Sequence, residues 1–208
     1  MPDHSEAAPN RDDLVARLDL MQAMIAEGRA TTARFGWIFV MWGLIYSIAM
    51  TWTAFLPHRN WAWPICITFG VVASITVRHR QRRAGANFGN PRERSIASIW
   101  RAMGTGVTLF SIACAASHQI TGPVYISAVL FMVGTAHATS AMTLRWAEQG
   151  MAAAVWWVAG IGSLFFTTPE QLFVIYMLAT FFGMILFGIY AMVRERKRTL
   201  PPAVPRHA

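Results

Sequence analysis

Six long stretches of this sequence contain no Asp, Glu, Lys or Arg. Each has roughly 16–23 residues, at or near the length with which an α-helix crosses the hydrocarbon core of a bilayer. A spanning segment must pair its own backbone groups, which favours helices. The sequence therefore predicts an all-α integral membrane protein with six transmembrane helices. The predicted spans are Phe35–Leu56, Trp61–Val77, Ala102–Ser117, Val124–Leu144, Met151–Thr167 and Gln171–Val193.

The predicted spans also lack the side chains on which most membrane chemistry depends. They hold no carboxylate, lysine or arginine, which coupled transporters generally need to carry charge through a low-dielectric interior. The sequence has no glycine-rich phosphate loop, and most of its loops are too short to build a soluble active site. We therefore expect a non-enzymatic protein without a cofactor.

Basic residues are distributed unevenly between the two sides of the predicted membrane domain. Of the 18 Lys and Arg residues, all except Arg59 fall on one side if the chain crosses six times. The positive-inside rule places that side, and both termini, in the cytoplasm, and we expect the inner membrane of a bacterium. The net charge of +8 thus reflects topology and predicts membrane lipids, not nucleic acid, as a partner.

A basic run after the second predicted span is the candidate site for anionic lipid headgroups. It contains Arg78, Arg80, Arg82 and Arg83. Positive side chains next to a span interact favourably with the negative surface of the cytoplasmic leaflet. An acidic protein partner is the alternative for this run.

The six spans form three evenly spaced helical hairpins. Their boundaries are Arg34 and Arg78, Arg101 and Arg145, and Gly150 and Arg194. Pro and Gly occur in the short outer turns, where they favour a reversal of the chain. Either bilayer thickness or internal duplication would produce this spacing. The sequence therefore divides into a cytoplasmic segment at 1–34, a six-span membrane domain at 35–193 and a basic, Pro-rich cytoplasmic tail at 194–208.

The N-terminal cytoplasmic segment contains a predicted amphipathic helix. Its apolar stripe has the spacing of a coiled-coil seam and consists of Leu14, Leu18, Met21 and Ile25. A short isolated helix is only marginally stable, so this stripe needs a surface to cover it. Three surfaces remain open: the membrane, a second copy in a homo-oligomer, or a groove on a cytoplasmic protein partner.

His137 is the one ionisable side chain deep within a predicted span. The simplest interpretation is a neutral imidazole that is hydrogen-bonded to a neighbouring helix. The functional interpretations are a haem ligand or a polar contact for a solute, with Thr135 and Thr139 on the same helix as further polar groups. A haem held across two helices would need a second histidine at similar depth, which the sequence does not offer.

Cys66, Cys114 and His118 are weak candidates for a metal site near the outer face. Cys114 and His118 share a helix face because they are one turn apart, and Cys66 is expected at similar depth. Thiol and imidazole groups bind soft metals. A disulfide between the two cysteines would require the second and third spans to pack together. The third interpretation is that both cysteines are small buried apolar residues.

Three functions are compatible with these patterns. The favoured one is a membrane scaffold or sensory accessory subunit that engages itself or a cytoplasmic partner through the N-terminal helix. The second is a channel or transporter for a neutral or apolar solute that passes His137, Thr135 and Thr139. The third is a haem- or metal-binding redox subunit.

Overall fold

The computed structural model describes residues 15, 18–20, 36–83, 91–166 and 168–199, and all regular structure in these ranges is helical, without a strand. The α-helices are α1 (Gly36–Phe55), α2 (Ala62–Arg83), α3 (Pro91–Ser117), α4 (Gly122–Leu144), α5 (Ala147–Ser163), α6 (Pro169–Thr180) and α7 (Phe187–Thr199). A 3₁₀ turn (Arg59–Trp61) precedes α2, and a π-helical segment (Phe181–Leu186) joins α6 to α7. The predicted all-α class is confirmed.

Five helical segments of the described chain are long and apolar enough to cross a membrane. They are Gly36–Phe55, Arg59–Gln81, Arg94–Ser117, Gly122–Leu144 and Pro169–Arg194. Their mean hydropathy ranges from 1.3 to 2.4 over the most apolar stretch of each. The remaining helix, α5, has 17 residues, so it is about 25 Å long at a rise of 1.5 Å per residue. The five apolar helical segments are therefore compatible with a multi-pass membrane protein.

α4 and α5 form an antiparallel hairpin that is closed by a turn at Arg145. This residue has left-handed backbone angles, with φ 48° and ψ 47°. Near one end of the hairpin, a methyl group added at Gly150 would lie 3.9 Å from the Cβ atom of Ala141. Towards the other end, a methyl group at Gly160 would lie 2.9 Å from the ring of Phe131. The two helices therefore stay in contact along most of their lengths.

α1 runs antiparallel to the continuous helix formed by α6, the π-helical segment and α7. At its start, Gly36 lies against the backbone of Gly188 in α7. At its end, the ring of Phe55 lies 5.2 Å from the ring of Phe173 in α6, in an edge-to-face arrangement. Small residues at the first contact allow the two backbones to approach closely.

α5 runs beside the same continuous helix and reaches both of its ends. At the start of α5, Glu148 forms an ion pair with Arg194 of α7. At the other end, a methyl group at Gly162 would lie 4.0 Å from Ile175 of α6. α1 and α5 therefore extend between the same two ends of the bundle.

α2 and α3 lie at the periphery of the bundle. α2 packs on α1, where Gly70 faces the rings of Trp42. α3 packs on α4, where Ser111 shares a hydrogen bond of 2.8 Å with the hydroxyl group of Tyr125. No residue in the apolar span of α3 is fully buried. In the described chain, α2 and α3 have no Cα atoms within 8 Å of each other.

α3 begins before the span that the sequence predicts. The predicted span starts at Ala102, whereas the helix starts at Pro91. Proline suits the first position of a helix because that position needs no backbone N–H. Arg94 and Arg101 are exposed in the extension, where long basic side chains can reach the headgroup region.

Candidate functional site

The imidazole of His137 lies at the centre of the bundle and has no exposed surface. Aromatic rings from four other helices surround it: Phe39 of α1, Trp100 of α3, Trp156 of α5 and Phe187 of α7. Their ring centroids lie 5.6, 4.9, 6.4 and 5.6 Å from that of His137, respectively. We call these five residues the His137 aromatic box. Five helices therefore converge on one polar side chain.

Several polar atoms in and beside this box are buried and have no hydrogen-bond partner among the described residues. They are both ring nitrogens of His137, the hydroxyl of Ser140, both amide atoms of Gln149 and the indole nitrogens of Trp100, Trp146 and Trp156. An unpaired buried polar group costs about 1–3 kcal/mol. We call these six residues the interior polar cluster. The expected hydrogen bond from His137 to a neighbouring helix is not observed: His137 contacts the four aromatic rings, and neither of its nitrogens is hydrogen-bonded within the described chain.

The register of the α4–α5 hairpin determines which residues of the two helices face each other. A methyl group at Gly134 would lie 2.6 Å from the ring of Trp157, and Ala141 faces Gly150. Between these two contacts, α4 presents His137 to α5. The helices run antiparallel, so the α5 residues opposite this stretch are those around Gly150–Trp157.

The remaining cluster residues adjoin the same stretch. Ser140 is fully buried one turn after His137, and Gln149 is fully buried next to Gly150. The ring of Trp146 lies 5.4 Å from the ring of Phe187, which also contacts His137. The cluster therefore extends from the aromatic box towards the Arg145 end of the hairpin.

The π-helical segment lies directly against Trp156. A methyl group at Gly183 would lie 2.8 Å from Cε2 of the Trp156 indole. Glycine is needed there because any side chain would displace that ring. π-Helical turns shift the hydrogen-bond register of a helix and are frequent at functional sites.

A charged network closes the end of the bundle beside the cluster. Glu148 accepts a hydrogen bond of 3.1 Å from the Tyr190 hydroxyl group and forms an ion pair with Arg194. The Arg194 guanidinium also lies 5.9 Å from the centroid of the Tyr190 ring. Burial raises the pKa of Glu148, but a backbone hydrogen bond, Tyr190 and Arg194 outweigh burial, and the net pKa is lowered. Glu148 therefore stays ionised near neutral pH.

Thr135 and Thr139 lie away from His137. Both are exposed, and each hydroxyl donates a hydrogen bond of 2.8 Å to the carbonyl four residues earlier, at Phe131 and Thr135 respectively. His137 points into the bundle from the opposite face of α4. The predicted grouping of these three residues along one solute path is therefore not observed.

The structure separates the candidate metal ligands. Cys66 is buried against Ile45 and Ala49 of α1, while Cys114 is half-buried and His118 exposed at the end of α3. A disulfide needs Cα atoms about 4.4–6.8 Å apart, whereas no Cα atoms of α2 and α3 in the described chain are within 8 Å. Both cysteines are free thiols, and the described residues contain no group of three candidate metal ligands.

The predicted lipid-binding run forms the C-terminal end of α2. Arg78, Arg80 and Arg83 are exposed, whereas the side chain of Arg82 lies outside the described residues. Lipid binding at this run stays a prediction.

Only part of the predicted N-terminal stripe is described. Leu18 is helical and exposed. Leu14, Met21 and Ile25 lie outside the described residues. The partner-binding role of the stripe also stays a prediction.

The aromatic box, Gln149 and the ion pair between Glu148 and Arg194 were not predicted from the sequence. One signal was available for the ion pair and Gln149. Glu148 and Gln149 closely precede the fifth uncharged run, and Arg194 directly follows the sixth. A hairpin topology brings these positions to the same end of the bundle.

No protein-family model, curated protein or solved structure matches this chain.

Proposed function

We propose that this chain is a non-enzymatic accessory or sensory subunit of a bacterial inner membrane, which engages a second copy or a cytoplasmic protein through its N-terminal helix. The observation that carries the proposal is the exposure of apolar side chains on that helix. Val15, Leu18 and Leu20 are 49%, 56% and 62% exposed. Such side chains gain stability only when another surface covers them, and a short helix depends on that contact.

The proposed topology has six crossings, with both termini in the cytoplasm. The course of α5 supports it, since α5 extends between the same two ends of the bundle as α1. Its length of about 25 Å is slightly short, and exposed Leu164 and Phe165 extend its apolar surface. Six crossings also bring Arg194 to the basic side on which the N-terminal segment lies.

Replacing two stripe residues tests the proposed contact. Leu18→Asp combined with Met21→Asp should leave membrane insertion intact, because the spans do not depend on the stripe. The same variant should reduce either the oligomer size in detergent or the amount of a specific co-purifying protein. Asp19→Asn on the same helix is the matched control and should change neither. If both measurements are unchanged in the double variant, the helix is no more than a membrane-surface element.

The two alternative functions have less support from the geometry. A solute path lined jointly by His137 and Thr139 would have to pass on both sides of α4, because the two side chains lie on opposite faces. A metal centre would need ligands that the described residues do not bring together. The buried polar cluster is the feature that the accessory role leaves unexplained.

A further inference from the structure

The acidic residues of this chain are concentrated in its N-terminal segment. Six of the ten Asp and Glu residues lie within residues 1–27, together with only two of the 18 Lys and Arg residues. Six acidic against two basic side chains give this segment a net charge of −4, whereas the rest of the sequence carries 16 basic and four acidic side chains. The segment and the membrane domain are therefore opposite in charge.

The C-terminal end of α2 and the start of α3 present positive charge. Arg80 and Arg83 of α2, and Arg94 and Arg101 of α3, are exposed. α1 starts at the same end of the bundle, because α2 returns antiparallel to it after the turn at Arg59–Trp61. The exposed arginines therefore lie on the side of the bundle from which the N-terminal segment enters α1.

The acidic side chains that the structure describes in the membrane domain lie away from these arginines. Glu148 of α5 is engaged by Tyr190 and Arg194 of α7. Glu170 is at the start of α6, at the opposite end of the bundle. The described membrane domain thus leaves the positive charge at the end of α2 available to an acidic segment.

The register of α1 and α2 extends these arginines past the start of α1. Gly70 of α2 lies against the ring of Trp42 of α1. At 1.5 Å per residue, Gly36 lies about 9 Å along the axis from Trp42, whereas Arg80 and Arg83 lie about 15 and 20 Å from Gly70 in the same direction. Both arginines therefore project beyond Gly36 by roughly 6–11 Å.

The connection to α1 keeps the acidic segment close to this projecting end. Glu27 precedes Gly36 by nine residues, which span at most about 30 Å when fully extended. Packed helix axes are about 8–10 Å apart, so Arg80 and Arg83 lie within that reach. A short tether also gives the segment an effective concentration of about millimolar order near the arginines.

The acidic face of the predicted N-terminal helix is separate from its apolar stripe. At 3.6 residues per turn, Asp12 and Glu27 fall on the face opposite the stripe, and Ala23 is one turn before Glu27 on that face. An anionic leaflet repels a segment with this charge. The arginines of α2 offset that repulsion, and a contact with them leaves the apolar stripe open.

We propose that the basic end of α2 and the start of α3 bind the acidic face of the N-terminal segment of the same chain. The contact holds the N-terminal helix against the cytoplasmic end of the bundle and turns its apolar stripe outwards. This inference goes beyond the accessory role proposed above, because it assigns a second face of the helix to a contact within the chain.

Cross-linking of the full chain in phosphatidylcholine nanodiscs tests this contact. Ala23→Cys and His79→Cys place one thiol on the acidic face and one beside Arg80 and Arg83, after replacement of the native cysteines by alanine. The measured quantity is the rate of disulfide formation under a mild oxidant. We expect the rate to fall about tenfold at about 1 M salt, where the Debye length is about 3 Å.

Charge variants at the end of α2 show whether the arginines cause the contact. Arg80→Gln combined with Arg83→Gln should lower the low-salt rate about tenfold and remove its dependence on salt. The matched control, Arg80→Lys with Arg83→Lys, keeps the charge and should react like the parent pair. Arg59→Gln, on the opposite side of the bundle, should also change nothing.

A second pair of substitutions tests the same contact from the N-terminal side, in case the arginine variant does not insert. Asp12→Asn with Glu27→Gln should slow the reaction in the same direction. Equal rates in the parent pair and in the folded charge variants would overturn the proposal, since the cross-link would then report only the short tether.

Two further results would overturn the assignment to the same chain. A rate that falls to that of the Arg80→Gln, Arg83→Gln variant when half of the lipid is phosphatidylglycerol would show that the arginines bind headgroups instead. A product of twice the chain mass would show that the segment docks on a second copy. We expect a monomeric product and little change with phosphatidylglycerol.

The stripe variant separates this proposal from the accessory role. Leu18→Asp with Met21→Asp should cross-link at least as fast as the parent pair, because it leaves the acidic face intact. Loss of cross-linking in that variant would contradict the independence of the two faces. Failure of the cross-link in the parent pair would overturn the intrachain contact and leave the stripe contact unaffected.

Discussion

Gly36 and Gly188 contact each other reciprocally where α1 meets α7. A methyl group added to either residue would lie 2.6 Å from the carbonyl oxygen of the other. Two glycines thus set the distance between the first and last membrane helices, at the end of the bundle from which the N-terminal segment and the tail leave. Close backbone approach of this kind is a main source of helix association in membranes.

Gly188→Ala should therefore destabilise the protein. The added methyl group meets backbone atoms, which cannot move aside as a flexible side chain can, so we expect a loss of about 1–3 kcal/mol. Thermal unfolding in detergent measures the effect as a lowered Tm. Gly104→Ala in α3 is the matched control, because nothing lies within 4 Å of its added methyl group. That control should be neutral, or stabilising by about 0.5–1 kcal/mol from helix propensity.

The ion pair between Glu148 and Arg194 should make the stability of the protein depend on pH, with a loss of stability at low pH. The pKa of Glu148 in the folded protein is lowered below the ordinary glutamate value of 4.5. Its contribution is therefore present above that pH and is lost as pH falls through the folded pKa. About a third of each side chain is exposed, so solvent screening limits the contribution to about 1 kcal/mol or less.

Glu148→Gln checks this contribution. The difference in Tm between the wild type and the variant should be largest near neutral pH and should shrink below pH 4.5. Glu170→Gln, at the opposite end of the bundle, should show a smaller difference. A Tm difference for Glu148→Gln that grows on acidification would contradict the assignment.

Gln149→Leu should stabilise the protein even though it removes a cluster residue. Gln149 is fully buried, and both of its amide atoms lack partners in the described chain. Leucine has a similar volume and no polar atom to leave unpaired, so a gain of about 1–3 kcal/mol is expected. Gln171→Leu, at an exposed position at the start of α6, should change Tm little. A strong loss of stability in Gln149→Leu would mean that its amide has hydrogen-bond partners in the folded protein.

Most helices could be predicted because a spanning helix is encoded locally. α1 and α4 differ from the predicted spans Phe35–Leu56 and Val124–Leu144 by no more than two residues at either end. Charge-free runs define the membrane-embedded part of a helix, but not its full length. α3 therefore starts at Pro91, since arginines remain helical while they reach into the headgroup region. The π-helical segment carries no local pattern that would have predicted it.

The candidate site was less predictable, because it is assembled from five helices. His137 could be singled out as the one ionisable residue deep in a span, but the pairing of helices is not encoded in the periodicity of any one of them. Phe39, Trp100 and Phe187 become neighbours only through that pairing. Gln149 was missed because it precedes the fifth charge-free run, although it is fully buried in the bundle.

Site-directed labelling most directly tests the central claim, a six-span membrane protein with both termini in the cytoplasm. Single cysteines would be placed at Asn60, Arg80, Thr168 and Lys197 after replacement of Cys66 and Cys114 by alanine. A membrane-impermeant maleimide should label positions 60 and 168 in intact cells, and positions 80 and 197 only after permeabilisation. Labelling of position 197 from outside, or protection of position 168, would contradict the crossing of α5 and with it the six-span topology.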